Sequence, residues 1–146
     1  VSGPTDSRNG SIDVNGILVI HGGFVAATGS AGMTQNASTD STQYTVLETL
    51  SSVQAAGTLI HIESEAGHEI LTLTPAKEYQ TIVSSSPELE NGTTYDVYLG
   101  GSAIGTETDG LYADGVYTPG SQVSSFTIAS IVTGESSGMG GGRRQR

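Results

Sequence analysis

Residues 11–33, SIDVNGILVIHGGFVAATGSAGM, carry three short apolar beats, Ile12/Val14, Leu18/Ile20 and Val25/Ala27. Each alternates with residues that face the other way, the period-two pattern of a strand with one buried side. Asn-Gly and Gly-Gly corners separate the beats, which recur six and seven residues apart. That interval is too short for ordinary hairpins. It predicts three consecutive sides of one parallel β-helix coil, with Gly or Asn taking positive φ at the corners. A solenoid coil buries its interior only against its neighbours, and about three stacked repeats are needed for stability. The chain is therefore expected to be the end of something longer, completed by missing N-terminal coils or by a neighbouring identical subunit.

After a polar stretch over residues 31–45 the period changes. Residues 44–50, 58–62, 69–74, 77–84, 95–99 and 125–132 read as short strands, with turn signals about every ten residues. Ala66-Gly67 and Asn91-Gly92 predict hairpins, and Pro75 and Pro87 cut strands at edges or ends. In residues 95–99, Tyr95, Val97 and Leu99 share one face while Asp96 and Tyr98 share the other. Residues 100–120, rich in Gly, Asp and Tyr, read as a long loop of the kind that carries binding residues. No segment reads as a sustained amphipathic helix.

Charge narrows the range of partners. Fifteen Asp and Glu face five Lys and Arg, and three of those five are Arg143, Arg144 and Arg146. Residues 1–142 thus carry two basic against fifteen acidic groups, a net −13 that repels nucleic acid and anionic lipid. The basic tip closes a Gly-rich tail expected to be flexible unless the acidic body orders it. No apolar run approaches about 20 residues, so no membrane span is expected. There are no cysteines, which removes disulfides and thiolate metal sites. The first residue is Val1 rather than Met, consistent with a processed product or a partial chain.

Two clusters are candidates for binding. Asp6, Asn9, Asp13 and Asn15 offer four hard oxygen ligands within ten residues, the start of a calcium shell, which needs six to eight oxygens. The same residue types also serve as plain turn formers at coil corners. Phe24, expected to face outward with His21, offers a stacking platform for a sugar or packs under a loop. Tyr112 and Tyr117 with Asp109 and Asp114 combine aromatic faces with hydrogen-bonding carboxylates, a sugar-binding combination that is equally common in surface turns. Catalytic motifs are absent: there is no G-x-S-x-G, H-E-x-x-H or phosphate loop, and His21, His61 and His68 share no motif. No catalytic residue is assigned. Three sequons, at Asn9, Asn36 and Asn91, fit glycosylation and are also expected by chance in a Ser/Thr-rich chain.

The runs NGSID, IHGGFVAATGSAGM, AAGTLIHI, LTLTPAKEYQTIVSSSPEL, GTTYDVYLGG, TDGLYADGVYTPG and SFTI resemble the C-terminal part of a family of secreted bacterial carbohydrate-binding proteins. That family is similar in fold to polysaccharide lyases, a right-handed parallel β-helix with bound calcium, and its members are associated with pectin-like polysaccharide and cellulose. The resemblance covers almost the whole chain, and residues 71–89 are its most specific part. Asp13 falls on an acidic position of the family's last coil, whereas Asn15 stands where a second Asp is common. The resemblance implies secretion or cell-surface display, polysaccharide as partner, calcium as cofactor and no catalysis.

Together these readings predict an all-β chain. The last coil or coils of a right-handed parallel β-helix occupy residues 1–35, a sandwich-like antiparallel β cap residues 36–133, and the basic tail residues 134–146. The expected function is noncatalytic binding of acidic polysaccharide through calcium bridges. The alternative is a structural subunit of an extracellular filament or matrix, assembled by end-to-end stacking.

Overall fold

The computed structural model describes residues 1–134. Among these the structure is all-β. Its strands are β1 Val25–Gly29, β2 Thr45–Gln54, β3 Ile60–Ser64, β4 Glu69–Leu73, β5 Tyr79–Ser85, β6 Thr94–Leu99, β7 Ser102–Thr108, β8 Leu111–Thr118, β9 Ser121–Thr127 and β10 Val132–Thr133. They form a four-stranded sheet ordered β1-β5-β2-β10 and a six-stranded sheet ordered β7-β8-β4-β3-β6-β9. All named pairings are antiparallel except that of β10 with β2.

The two sheets close on each other because each presents an apolar face. Val46, Leu50, Tyr79 and Ile82 from the smaller sheet pack with Ile60, Ile62, Leu71, Leu73, Tyr95, Val97 and Phe126 from the larger. On β6 the alternation holds as the sequence predicts: Tyr95 and Val97 are buried, while Asp96 and Tyr98 lie on the opposite, partly exposed side. Successive strand residues point to opposite faces, so the smaller sheet has a second side. There Ala27, Leu47 and Val83 form a separate small core with Ile12. The molecule is thus built in three layers, with the N-terminal segment over the smaller sheet and the larger sheet beneath it.

The N-terminal layer is laid down by backbone hydrogen bonds between residues far apart in sequence. Gly3 N–H donates to the Thr28 carbonyl (2.7 Å) and Thr28 N–H to that of Val1 (2.9 Å). Gln35, Ser38 and Thr42 N–H groups donate to the carbonyls of Ile12 (3.2 Å), Leu18 (2.7 Å) and Ile20 (3.0 Å). Both segments advance together, and Ser2 bridges Thr28 in the parallel sense. Residues 1–20 therefore lie alongside residues 26–42 at offsets of 20 to 27 residues. Glycines permit the close approach: a Cβ on Gly3 would stand 3.2 Å from the Thr28 carbonyl oxygen, and one on Gly10 2.5 Å from the Thr34 Cα.

Several expectations need correction. Of the three predicted coil sides only residues 25–29 form a strand, and their ladder partner is β5, antiparallel. Val14, predicted inward, is exposed, whereas Ile20 is buried. The sheet containing β1 crosses the boundary expected at residue 35. Ala66-Gly67 does turn the hairpin between β3 and β4, but Asn91-Gly92 joins β5 to β6, strands of different sheets. Residues 100–120 are not a long loop. They form the β7–β8 hairpin, turned at Asp109-Gly110 with φ of 52° and 86°, the left-handed values of a tight two-residue turn. Predicted residues 135–146 lie outside the described residues.

Candidate functional site

Of the four proposed calcium ligands, Asp6, Asn9 and Asp13 make contacts with protein groups. Asp6 is taken by Arg8: the guanidinium donates to both carboxylate oxygens (2.6 to 3.1 Å), and the Arg8 backbone N–H adds a further bond at 2.9 Å. These bonds hold the Asp6 carboxyl below its ordinary range. A cation there would meet a positive charge already in place. The Asn9 amide lies 3.0 Å from Asp13 Oδ2 and 3.0 Å from the Arg8 carbonyl, and with its nitrogen assigned to that side it donates to both. Asn15 is exposed at a corner. Among the described residues no group of three or more His, Asp or Glu side chains is placed to hold a metal ion.

The proposed sugar-binding residues come from two places in the fold, the turn before β1 and the β7–β8 hairpin. Phe24 is 43% exposed beside the Gly22-Gly23 corner, as expected, far in sequence from the β7–β8 residues. Asp109 and Asp114 both take φ of 52°, one in the turn and the other at the irregularity of the hairpin. Tyr112 and Tyr117 are both half-buried on β8. The Tyr117 hydroxyl donates to the Gly100 carbonyl (2.9 Å) and accepts from Gly120 N–H (2.9 Å), which leaves its ring committed to the protein.

That ring leads to a cluster the sequence reading did not single out. His61 on β3 stands opposite Thr72 on β4 and Tyr98 on β6, on the side of the larger sheet away from the core. Tyr117 stacks on its imidazole, with ring centroids 3.9 Å apart and planes at 15°. Tyr98 leans against both rings at 6.1 and 6.3 Å. Buried to 1% exposure, His61 places Nδ1 2.7 Å from Thr72 Oγ1 and Nε2 3.1 Å from Glu63 Oε2. Thr72 Oγ1 donates in turn to Glu69 Oε2 at 2.7 Å. Tyr98 is pushed up, first by desolvation and then by the charges of Asp96 and Glu63. A readable signal existed: in the run IHIE, His61 and Glu63 alternate with the core residues Ile60 and Ile62.

No family model, curated protein or solved structure matches the chain. Function must therefore be argued from the arrangement itself. With both ring nitrogens bonded and its face covered by Tyr117, His61 is closed to a substrate. The cluster can share a proton among histidine and carboxylates, and it joins three strands to the hairpin. A second concavity, of about 520 Å³, lies at one end of the larger sheet, lined by Glu65, His68, Glu88 and Glu90, with His68 Nε2 3.2 Å from Glu88 Oε2. It is open and acidic. The sequon at Asn36 is unavailable in the folded chain, because this side chain is buried and donates to the carbonyls of Thr133 (2.8 Å) and Gly134 (3.1 Å). No helix among the described residues is long and apolar enough to cross a membrane.

Proposed function

We propose that this chain is the capped end of a noncatalytic, secreted or surface-displayed carbohydrate-binding protein, with residues 1–45 as the closing turns of a right-handed parallel β-helix. The observation that carries this reading is the parallel set of hydrogen bonds at offsets of 20 to 27 residues. Offsets of about that size, recurring along two segments, are what stacked solenoid turns produce, each contacting only its neighbour. The sandwich beneath acts as the cap, since it covers one side of the stack and leaves the other open.

An acidic polysaccharide meets a protein surface of the same sign. Its retention therefore requires a divalent cation between carboxylates, and calcium is the cation that oxygen ligands of this kind select. Within the quartet at residues 6–15, Asp6 is engaged by Arg8. Bridging between separated surface carboxylates and the polymer remains the mechanism. Pull-down on polygalacturonate in calcium buffer tests the reading. Retention lost on adding chelator is expected, and retention that survives complete calcium removal contradicts bridging.

One observation favours the assembly reading as well. Val1, Val14, Ile17 and Phe24 are exposed apolar residues within the N-terminal layer. A further turn laid on that side would cover them, whether it came from the same polypeptide or from a neighbouring one. Light scattering on the purified chain distinguishes a monomeric module from a filament or matrix subunit.

A further inference from the structure

We propose that His61 is a proton-dependent latch for the β7–β8 hairpin, closed when both imidazole nitrogens carry a proton. The argument is one of donors and acceptors. The Thr72 hydroxyl has one proton, and it is spent on Glu69 Oε2. Thr72 Oγ1 can then only accept from Nδ1 of His61. On the other side of the ring, Nε2 faces Glu63 Oε2, and an ionised carboxylate only accepts. Both ring nitrogens must donate, which is the imidazolium form. A neutral ring brings two lone pairs face to face at one nitrogen, or turns the Thr72 proton away from Glu69.

The groups around the ring agree with this assignment. Glu63 comes from its own strand, Glu69 from β4, Tyr98 and the neighbouring Asp96 from β6, and Tyr117 from β8. Tyr112 lines the same crevice between β4 and the hairpin, and Glu107 on β7 is occupied with the Gly110 N–H. These are acids and phenols. A cation stacked at 3.9 Å on the Tyr117 ring also gains a cation–π attraction that the neutral ring lacks.

The hairpin is the element that responds because little else holds it. Its one ladder pair with the rest of the sheet is Leu73 with Leu111, supported by the packing of Leu111 against the core and the bond from Thr74 N–H to the Gly110 carbonyl. These contacts are at the turn end. At the other end the hold is Tyr117, stacked on His61 and tied to Gly100 and Gly120. Closing takes up one proton from solvent, and opening returns it. Opening uncovers Thr72, Glu69 and Tyr98.

The test is NMR on the full chain from about pH 5 to about pH 9, following the His61 ring nitrogens and amide protection factors, which remove the intrinsic pH dependence of exchange. Both nitrogens are expected to be protonated at the acid end. On deprotonation, protection in β7 and β8 should fall roughly tenfold or more, as expected for loss of a charged hydrogen bond, while β3 and β6 stay protected. His61→Phe keeps the stacking and removes the proton, so its hairpin protection should not vary with pH. Glu63→Gln should move the transition to lower pH. The latch is overturned if His61 stays neutral throughout, or if the His61→Phe hairpin follows the wild-type pH course. Should His61→Phe not fold, an unmoved transition in Glu63→Gln overturns it equally.

Discussion

A side chain at Gly32 has nowhere to go: its Cβ would stand 1.7 Å from the Ser7 carbonyl oxygen, across the contact between the N-terminal segment and the stretch beneath it. Backbone cannot yield as a flexible side chain does, so Gly32→Ala should destabilise by at least about 1–3 kcal/mol in denaturant unfolding. Gly22, with open space around its Cβ position and no positive φ, is the control, and Gly22→Ala should be near neutral. Glu48 offers a test of opposite sign. Burial holds its carboxyl above the ordinary range, against the opposing pull of the Ser124 hydroxyl at 3.0 Å. The folded state then binds this proton more tightly than the unfolded state, so the group's contribution to stability falls as pH rises from the ordinary glutamate range through the raised value. Glu48→Gln removes that loss. Thermal melts should show the variant more stable than wild type at neutral pH, with the difference shrinking in acid.

At the scale of elements, β10 is a short attachment that a single substitution probes. It pairs with β2 through two residues, and the Asn36 amide holds the carbonyls that follow. Asn36→Ala should cost roughly 0.5–1.5 kcal/mol by removing the hydrogen bonds of a buried amide, and amide exchange should quicken first at Val132 and Thr133. The other strands show what a sequence can and cannot reveal. Runs such as TYDVYL and LIHIE were legible because one face is buried and the other is not, and alternation reports that difference directly. The β7–β8 hairpin was not legible as strands. Most of its residues are exposed on both faces, so no alternation marks it, and Gly105, Gly110 and Gly115 read as loop. Its Asp109-Gly110 corner was nonetheless a hairpin signal. The His61 cluster escaped for a related reason: the partners lie on four strands, and Tyr117 reaches them only once the hairpin has folded back. The calcium quartet was visible as ligand types, but sequence does not show that Arg8 would claim Asp6.

For the whole molecule, the distribution of layers and of charge governs the account. Arg8 lies in the N-terminal layer and is already paired, while Glu63, Glu65, Glu69, Asp96, Glu107, Asp109 and Asp114 all belong to the larger sheet and its turns. A calcium-bridged polymer would be drawn to that side, and a further solenoid turn to the opposite one. Both proposals rest on residues 1–24 being a turn stacked in parallel on residues 25–45. Scalar couplings across hydrogen bonds measure that stacking directly. Coupling from the amide nitrogens of Gln35, Ser38 and Thr42 to the carbonyl carbons of Ile12, Leu18 and Ile20 is the result this account predicts. Coupling of those amides to other carbonyls, or exchange without protection, would contradict it.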